Sequence, residues 1–410
     1  MKAVILAAGY GKRMGGDTPK PLVKLYGLPL IEHKIRRLKG YDIIVVYHDE
    51  SVEKYLRKKF PDVKLVYNPY PERENGYSLY CVKNIINEGE SFLLLMADHY
   101  YDEAFYSNVG KNKNTVVFVS ERCYQEDEAT KVKVEKEKVL KIGKSLNDYD
   151  YFDTGFFLCS YEVLIYAEKA VSMKKEVKLS DIMQLLADDR KLFYRVVNNF
   201  WIDIDTREDL KEAEFFIRKS LIKPTDGFIS RYINRKISTR ITPHILKYDF
   251  LTPNAVTIFV TFLGFLSSFL FLFKYSIAGG IMTQIVSIID GCDGEIARVK
   301  NISSRYGAVL DSVLDRYVDI FILSGIYLSV EKSIILSISF ILALAGSVLV
   351  SYISHLSGMR PYFATRDIRL FIIMIGGFFI YFNEHFVSVI FILIGFLTHL
   401  SVFYILQKIR

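Results

Sequence analysis

The chain has 410 residues, enough for two or three domains, and is 51% hydrophobic and 14% aromatic, high values for a soluble protein. Much of the excess behind its formal net charge of +7 lies between Lys223 and Lys247, just ahead of the first long apolar run, so the charge calls for no nucleic-acid partner. Cys81, Cys123, Cys159 and Cys292 are scattered without a CxxC pair, which argues against a disulfide framework or a zinc site and for a reducing cytosol.

"AVILAA" (3–8) reads as a first strand, too short for a leader peptide and followed by a Gly/Lys/Arg loop. Further strands are expected at 42–47, 63–67, 91–98, 115–120 and 155–160, with helix-like stretches at 30–39, 52–59 and 79–88 between them. This alternation predicts an α/β Rossmann-like domain with a mixed, mostly parallel sheet covered on both faces. "TREDLKEAEFFIRKSL" (206–221) closes it as a helix, with Thr206 as N-cap, acids in its first turn and Arg218 and Lys219 in its last. "KPTDG" then ends the helix, so the cytosolic domain is expected over 1–222. Gln125, Gln184, Gln284 and Gln407 are the only glutamines beside abundant Lys and Glu, a bias that favours a thermophile.

Residues 223–250 read as a linker and a basic, amphipathic membrane-surface helix (228–248), and 251–410 as an all-α domain of six transmembrane helices. A span needs roughly 20 residues to cross a core of about 30 Å. The apolar segments 276–290 and 317–330 are shorter, so their helices must continue through the neighbouring aspartates. Arg298, Lys300, Arg305, Arg360, Arg366, Arg369, Lys408 and Arg410 fall on the side of the N-terminal domain, and only Lys274 and Lys332 on the other. By the positive-inside rule the protein is a multi-pass cell-membrane protein with its N-terminal domain and C-terminus cytoplasmic.

Asp290, Asp293, Asp311, Asp315 and Asp319 lie in this apolar third, where an ionised carboxylate costs several kcal/mol unless something answers it. On helices, 290, 293, 294 and 297 share one face, as do 307, 311 and 315. Gly294, Ala297 and Gly307 leave room for close helix approach and for a substrate. A solvated turn would explain one or two acids, not five beside three small residues. Oxygen-only ligands of this kind favour Mg²⁺, Mn²⁺ or Ca²⁺, and metals bridging a diphosphate make a phosphoryl-transfer site.

The spacing DxxDGxxARx8GxxxDxxxD resembles the signature of the CDP-alcohol phosphotransferase family at every fixed position, and the resemblance covers roughly 227–410. It implies a six-helix membrane enzyme that displaces CMP from a CDP-alcohol, and it commonly implies a homodimer through the membrane domain. Asp290, Asp293 and Asp311 would then hold divalent metals, with Asp315 as general base or further ligand. Gly294, Ala297, Arg298 and Gly307 would border the CDP-alcohol. Arg360, Arg366 and Arg369 offer a pocket for a phosphate on the acceptor, against the simpler reading of positive-inside anchoring. Asp319 lies outside the motif, either lining a polar cavity or pairing with a neighbouring helix.

In the soluble half, Gly9 and Gly11 bring backbone N–H groups toward phosphates, and Arg13 and Lys20 add charge. A GxG alone is a tight βα turn, but with Arg13-Met14 and Pro19-Lys20-Pro21-Leu22 it resembles the sugar-nucleotidyltransferase family over 1 to about 220. That resemblance implies a catalytic metal at Asp98 of "LMADH", with Asp203 as second ligand, and does not extend to Asp205. Asn75, Gly76 and Ser78 would contact a cytosine base, Lys131 the acceptor substrate, and Arg13 and Lys20 would act in catalysis. Mg²⁺ or Mn²⁺ is expected at both sites.

A CDP-alcohol consumer fused to a nucleotidyltransferase resembles the bifunctional inositol-1-phosphate cytidylyltransferase and CDP-inositol:inositol-1-phosphate transferase family. The implied substrates are CTP and inositol 1-phosphate, the intermediate CDP-inositol, and the product a phosphorylated di-myo-inositol phosphate, a compatible-solute precursor. A phospholipid synthase that transfers a CDP-activated headgroup at the lipid bilayer remains the alternative. A transporter fits less well, because the acids gather at one interface and no inverted repeat is visible. A catalytically silent soluble half is the third possibility.

Overall fold

The computed structural model describes residues 1–9, 18–107, 109–110 and 114–409, and divides into two compact units, Met1–Phe216 and Ile217–Arg410. Gly11 and Arg13 lie outside the described residues.

The strands in chain order are β1 (Lys2–Ala7), β2 (Lys24–Leu25), β3 (Leu28–Pro29), β4 (Asp42–Tyr47), β5 (Lys64–Tyr67), β6 (Ser91–Met96), β7 (His99–Tyr101), β8 (Thr115–Ser120), β9 (Lys131–Glu135), β10 (Lys138–Gly143), β11 (Tyr151–Ser160), β12 (Leu192–Val196) and β13 (Trp201–Asp203). The first unit's helices are α1 (Leu30–Arg37), α2 (Glu50–Lys59), α3 (Glu74–Tyr80), α4 (Ala104–Ser107), α5 (Glu162–Met173), α6 (Leu179–Asp188) and the start of α7 (Arg207–Leu221). Among the described residues nine strands form one sheet in the order β5-β4-β1-β6-β11-β8-β12-β10-β9. It is mixed. β5, β4, β1 and β6 run parallel through helical crossovers, whereas β11 is antiparallel to β6, β8 and β9. The β9–β10 connection is too short for a crossover helix and gives an antiparallel pair.

Alternation along β1 splits the core. Val4 and Leu6 join one buried apolar cluster and Ala3, Ile5 and Ala7 the other, so both faces of the sheet are covered. The helices start where their sequences direct: the Asp49 carboxylate accepts from Ser51 N at 2.8 Å to cap α2, and Arg57, Lys58 and Lys59 occupy its last turn.

Among its described residues the second unit contains α8 (Arg235–Ile245) and six long helices, α9 (Pro253–Leu272), α10 (Ser276–Val299), α11 (Arg305–Leu328), α12 (Ile334–Ser357), α13 (Arg366–Phe382) and α14 (Phe386–Ile409). α10 and α11 do run on through the aspartates. Among the described residues three helices, α9, α12 and α14, are long and apolar enough to cross a membrane. Exposed side chains such as Ile258, Phe259 and Phe262 on α9, Ile334, Ile338 and Ile341 on α12 and Phe396 and Phe403 on α14 suit contact with lipid, so this unit associates with a membrane.

Small residues set the helix contacts that build the site. α9 packs against α10 and α11, α10 against α13, and α12 against α14. A Cβ on Gly377 would sit 2.5 Å from Ser276 O, and one on Gly280 2.7 Å from Met374 O, so α10 and α13 touch backbone to backbone. The segment read as a surface helix is inverted relative to a soluble one. Ser238, Thr239 and Thr242 are buried and lie on α10's side, while Phe228, Tyr232 and Ile237 are exposed.

Candidate active sites

In the first unit, Pro19 and Pro21 fix the backbone around Lys20, which is 8% exposed. Asp98 follows β6, whose end is held by Ala97 N donating to Leu6 O at 2.9 Å. The antiparallel ribbon of β7 and β13 then pairs His99 with Asp203 directly. Lys20 Nζ donates to Asp98 Oδ2 at 2.9 Å, Asp203 Oδ1 at 3.5 Å and Asp205 Oδ1 at 2.6 Å. Burial alone would lower the Lys20 pKa, but the three carboxylates more than reverse this and hold it above the ordinary lysine value. Asp203, which burial would raise, is held below the usual carboxylate range by His99 and Lys20.

The carboxylates and His99, though not Lys20 behind them, edge a cavity of about 340 Å³ whose wall includes Asn75, Asp98, His99, Thr130, Lys144, Asp153, Asp203 and Asp205. Gly9 is exposed two residues past β1, and no atom of the described residues lies within 4 Å of the position a Cβ would take. Asn75 reaches the cavity and accepts from Leu179 N at 2.7 Å. Gly76 and Ser78 lie behind it. Gly76 N donates to Val177 O at 2.8 Å, and the buried Ser78 hydroxyl accepts from Asn68 Nδ2 at 3.0 Å. Lys131 is off the cavity wall, its ammonium 5.0 Å from the Tyr149 ring centre, while its neighbour Thr130 lines the wall. Burial pushes the Asp153 carboxyl up to about 6, although Gly155 N–H bonds to it.

In the second unit the aspartates converge. Among the described residues, Asp290, Asp311 and Asp315 each offer an oxygen within 4.8 Å of the others. Asp293 turns aside: its Oδ2 accepts from Thr257 Oγ1 at 2.6 Å and its Oδ1 from Gly294 N. Arg366 Nη1 lies 2.9 Å from Asp290 Oδ2 and 2.7 Å from Asp315 Oδ1, and its Nε donates to Asp319 Oδ1 at 3.2 Å. Arg369 Nη2 donates to the other Asp319 oxygen at 2.6 Å, so Asp319 pairs with α13. Arg360 is exposed on the loop before α13.

The glycines leave space for polar groups. A Cβ on Gly294 would lie 3.1 Å from Arg298 Nη1, and one on Gly307 3.2 Å from Asn254 Oδ1. Ala297 is half-buried, and Arg298 Nη2 donates to Leu221 O at 3.5 Å. Buried Asp311 Oδ1, Arg298 Nε and Arg366 Nη2 have no hydrogen-bond partner among the described residues. Such orphans are costly. An acceptor left unpaired beside two further carboxylates fits a divalent cation, and unpaired guanidinium donors fit phosphate oxygens.

Sequence reasoning missed one participant between the motif positions. Glu295 is fully buried and accepts from Ser238 Oγ at 2.6 Å, Thr242 Oγ1 at 2.6 Å and Arg235 Nη1 at 3.0 Å. It also passed over Asp205, the nearest carboxylate to Lys20. An acid two residues beyond Asp293 was the available signal for Glu295.

Residues 3–128 match the MobA-like NTP transferase domain and residues 250–401 the CDP-alcohol phosphatidyltransferase family. An Aquifex aeolicus (strain VF5) protein named bifunctional IPC transferase and DIPP synthase is 38% identical over 397 residues, covering 91% of each chain. The protein of that name from Thermococcus kodakarensis is 33% identical, covering 100% of this chain and 98% of its own. A solved inositol-1-phosphate CTP transferase from T. maritima is 27% identical with a TM-score of 0.47, covering 52% of this chain and 93% of that one. With a nucleotidyltransferase domain followed by a CDP-alcohol phosphotransferase domain, and relatives this similar along nearly its whole length, the chain belongs to the family of bifunctional IPC transferases and DIPP synthases.

Proposed function

We propose that the chain catalyses two successive transfers. Over 1–222, a phosphate oxygen of inositol 1-phosphate attacks the α-phosphorus of CTP, expelling pyrophosphate and leaving CDP-inositol. Over 251–410, a hydroxyl of a second inositol 1-phosphate attacks the inositol-bearing phosphorus of CDP-inositol. The new P–O bond gives di-myo-inositol phosphate phosphate, and CMP departs with the electron pair of the broken pyrophosphate bond. Residues 223–250 join the two as linker and surface helix.

Neither transfer needs a covalent nucleophile, so positioning and charge neutralisation carry the chemistry. In the first site Gly9 and Gly11 offer backbone donors, Arg13 and Lys20 meet the triphosphate, and Asn75, Gly76 and Ser78 shape the base pocket, while Lys131 would have to leave Tyr149 to reach the acceptor. Asp98 and Asp203 would hold Mg²⁺ or Mn²⁺. In the second site Asp290, Asp293 and Asp311 would hold the ions and Asp315 would take the proton of the attacking hydroxyl. Gly294, Ala297, Arg298 and Gly307 border the CDP-alcohol, and Arg360, Arg366 and Arg369 bind the acceptor phosphate. When bound, the divalent ions neutralise the diphosphate and the charge that develops on the leaving oxygen. The same reading makes all six long helices spans, with both termini cytoplasmic and the membrane units paired as a homodimer.

The observation that carries the proposal is the convergence of Asp290, Asp311 and Asp315 in a chain that also gathers Asp98, Asp203 and Lys20 at a cavity. Purified protein given CTP, inositol 1-phosphate and Mg²⁺ is expected to release pyrophosphate and then CMP. Pyrophosphate without CMP would restrict the proposal to the first site, and a lipid-soluble labelled product would replace it with phospholipid synthesis.

A further inference from the structure

His99 was not among the metal-site residues that the sequence pointed to, yet its ring is more firmly built in than either aspartate beside it. It stacks on Trp201 with centroids 6.0 Å apart and planes 29° apart. Gly155, at φ +71°, makes room for it: a Cβ there would lie 2.7 Å from His99 Cε1 and 2.8 Å from Nδ1. The bend at Gly155 is itself held, by its N–H on Asp153 at 2.8 Å and by the Tyr101 hydroxyl donating to its carbonyl at 3.0 Å.

The tautomer follows from one contact. His99 Nδ1 is 2.8 Å from the Thr154 carbonyl oxygen, which only accepts, so Nδ1 carries a hydrogen. In a neutral ring Nε2 is then a lone pair, and it faces Asp203 Oδ2 at 3.6 Å and Asp98 Oδ1 at 3.9 Å. A lone pair and two carboxylate oxygens do not face one another without a cation between them, which is a proton on Nε2 while the ring is an imidazolium and a metal ion when that proton is displaced. Both distances exceed a hydrogen bond. A cation about 2.1 Å from each donor would hold adjacent donors about 3 Å apart and opposite ones about 4.2 Å apart, which brackets both separations from Nε2. Lys20 does not compete for these atoms. It takes the other oxygen of each carboxylate, Asp98 Oδ2 at 2.9 Å and Asp203 Oδ1 at 3.5 Å. The Thr154 carbonyl supplies the outer hydrogen bond that metal-bound histidines ordinarily make.

We propose that Nε2 of His99 is a third protein ligand, beside Asp98 and Asp203, for the divalent ion of the first site, which thereby becomes a nitrogen-containing site. The inference rests on the nucleotidyltransferase reading of that unit. An imidazole donor moves selectivity from Mg²⁺ toward Mn²⁺ and Co²⁺. Lys20 and the ion then lie on opposite edges of the same two carboxylates, which keeps the triphosphate-binding ammonium and the metal at a fixed separation.

The test uses the full-length protein with the membrane site silenced by Asp290→Asn and Asp311→Asn, loaded with one equivalent of Mn²⁺ and read by pulsed electron paramagnetic resonance. The expected spectrum carries a ¹⁴N coupling that becomes a ¹⁵N coupling in protein grown on ¹⁵N-histidine, with no change of sequence at His99. In the same background His99→Gln is expected to abolish that coupling and to weaken Mn²⁺ binding on the order of tenfold or more, more than it weakens Mg²⁺ binding. Bound Mn²⁺ without a histidine coupling would overturn the inference, as would failure of Mn²⁺ to bind. Pyrophosphate release from CTP and inositol 1-phosphate, measured on the same preparation, judges the nucleotidyltransferase reading separately.

Discussion

Arg366 Nη1 lies 2.7 Å from Asp315 Oδ1, so a cation read as a phosphate ligand sits on the carboxylate read as a general base. The same guanidinium spans Asp290 and Asp319. Divalent ions arriving at Asp290 and Asp311 would take over that neutralisation and leave Arg366 to the acceptor phosphate. Arg366→Ala is expected to raise the KM for inositol 1-phosphate on the order of tenfold or more, the loss of charge-assisted bonds worth about 1.5–3 kcal/mol. Arg366→Lys should restore little, because one ammonium cannot reproduce a planar fork that reaches three carboxylates. An unchanged KM in steady-state assays would remove Arg366 from the acceptor site.

Glu295 ties α8 to the helix that bears Asp290 and Asp293. Arg235, one of its donors, also donates to Gly291 O at 2.9 Å and pairs with Asp226 at 3.3 Å, so the network braces the backbone between the two aspartates. Glu295→Ala leaves a buried guanidinium and two hydroxyls without their acceptor, at a cost of roughly 3–5 kcal/mol. Glu295→Gln keeps the shape and an acceptor oxygen and should retain most stability. If the network positions the aspartates, Glu295→Gln still lowers the kcat for CMP release while pyrophosphate release is unchanged. Equal loss of both activities would assign Glu295 a general structural role.

Lys34 supplies a pH signature for the first unit. It is 1% exposed, and its ammonium donates to the Ala97 and Leu30 carbonyls at 2.8 and 3.3 Å. Burial lowers its pKa to about 7, with Asp98 acting in the opposite direction. The unfolded chain holds this proton up to about 10.4. Between those values the unfolded state binds more protons, so stability rises with pH across the window, falls as pH drops from about 10 toward 7, and levels off below 7, where both states hold the proton. Relative to Lys34→Met, the native protein should gain roughly 4 kcal/mol between pH 6 and 10. Denaturation followed by the fluorescence of Trp201, the only tryptophan, reads this directly. Parallel pH profiles for the two proteins would contradict it.

The membrane carboxylates were legible because helical periodicity alone puts 290 and 293 on one face and 311 and 315 on another. Which oxygens converge was not. That depends on α9 packing against both α10 and α11, and the reach of Arg366 to them depends on Gly280 and Gly377 letting α10 meet α13, a contact between residues nearly a hundred positions apart. Asp319 shows the difference, since only its partners on α13 resolve it as an ion pair. In the soluble half six strands (β1, β4, β5, β6, β8 and β11) and Lys20 followed from local pattern, whereas the stretch 79–88 read as a helix is mostly turn after α3, and His99 and Asp203 met through ribbon pairing between β7 and β13. Lys131 was placed by resemblance, and its strand carries its side chain to Tyr149. Polar residues of α8 looked like a solvated face because the sequence does not reveal that Glu295 receives them.

The central claim is that two separate sites act in series through CDP-inositol. It is tested most directly by following all phosphorus species by ³¹P NMR in Asp98→Ala and Asp311→Asn proteins, with and without added CDP-inositol. Asp98→Ala should release no pyrophosphate from CTP yet form CMP from supplied CDP-inositol and inositol 1-phosphate. Asp311→Asn should release pyrophosphate and accumulate CDP-inositol without CMP. Loss of both activities in each folded variant, or CMP formed by Asp311→Asn at the native rate, would contradict the account.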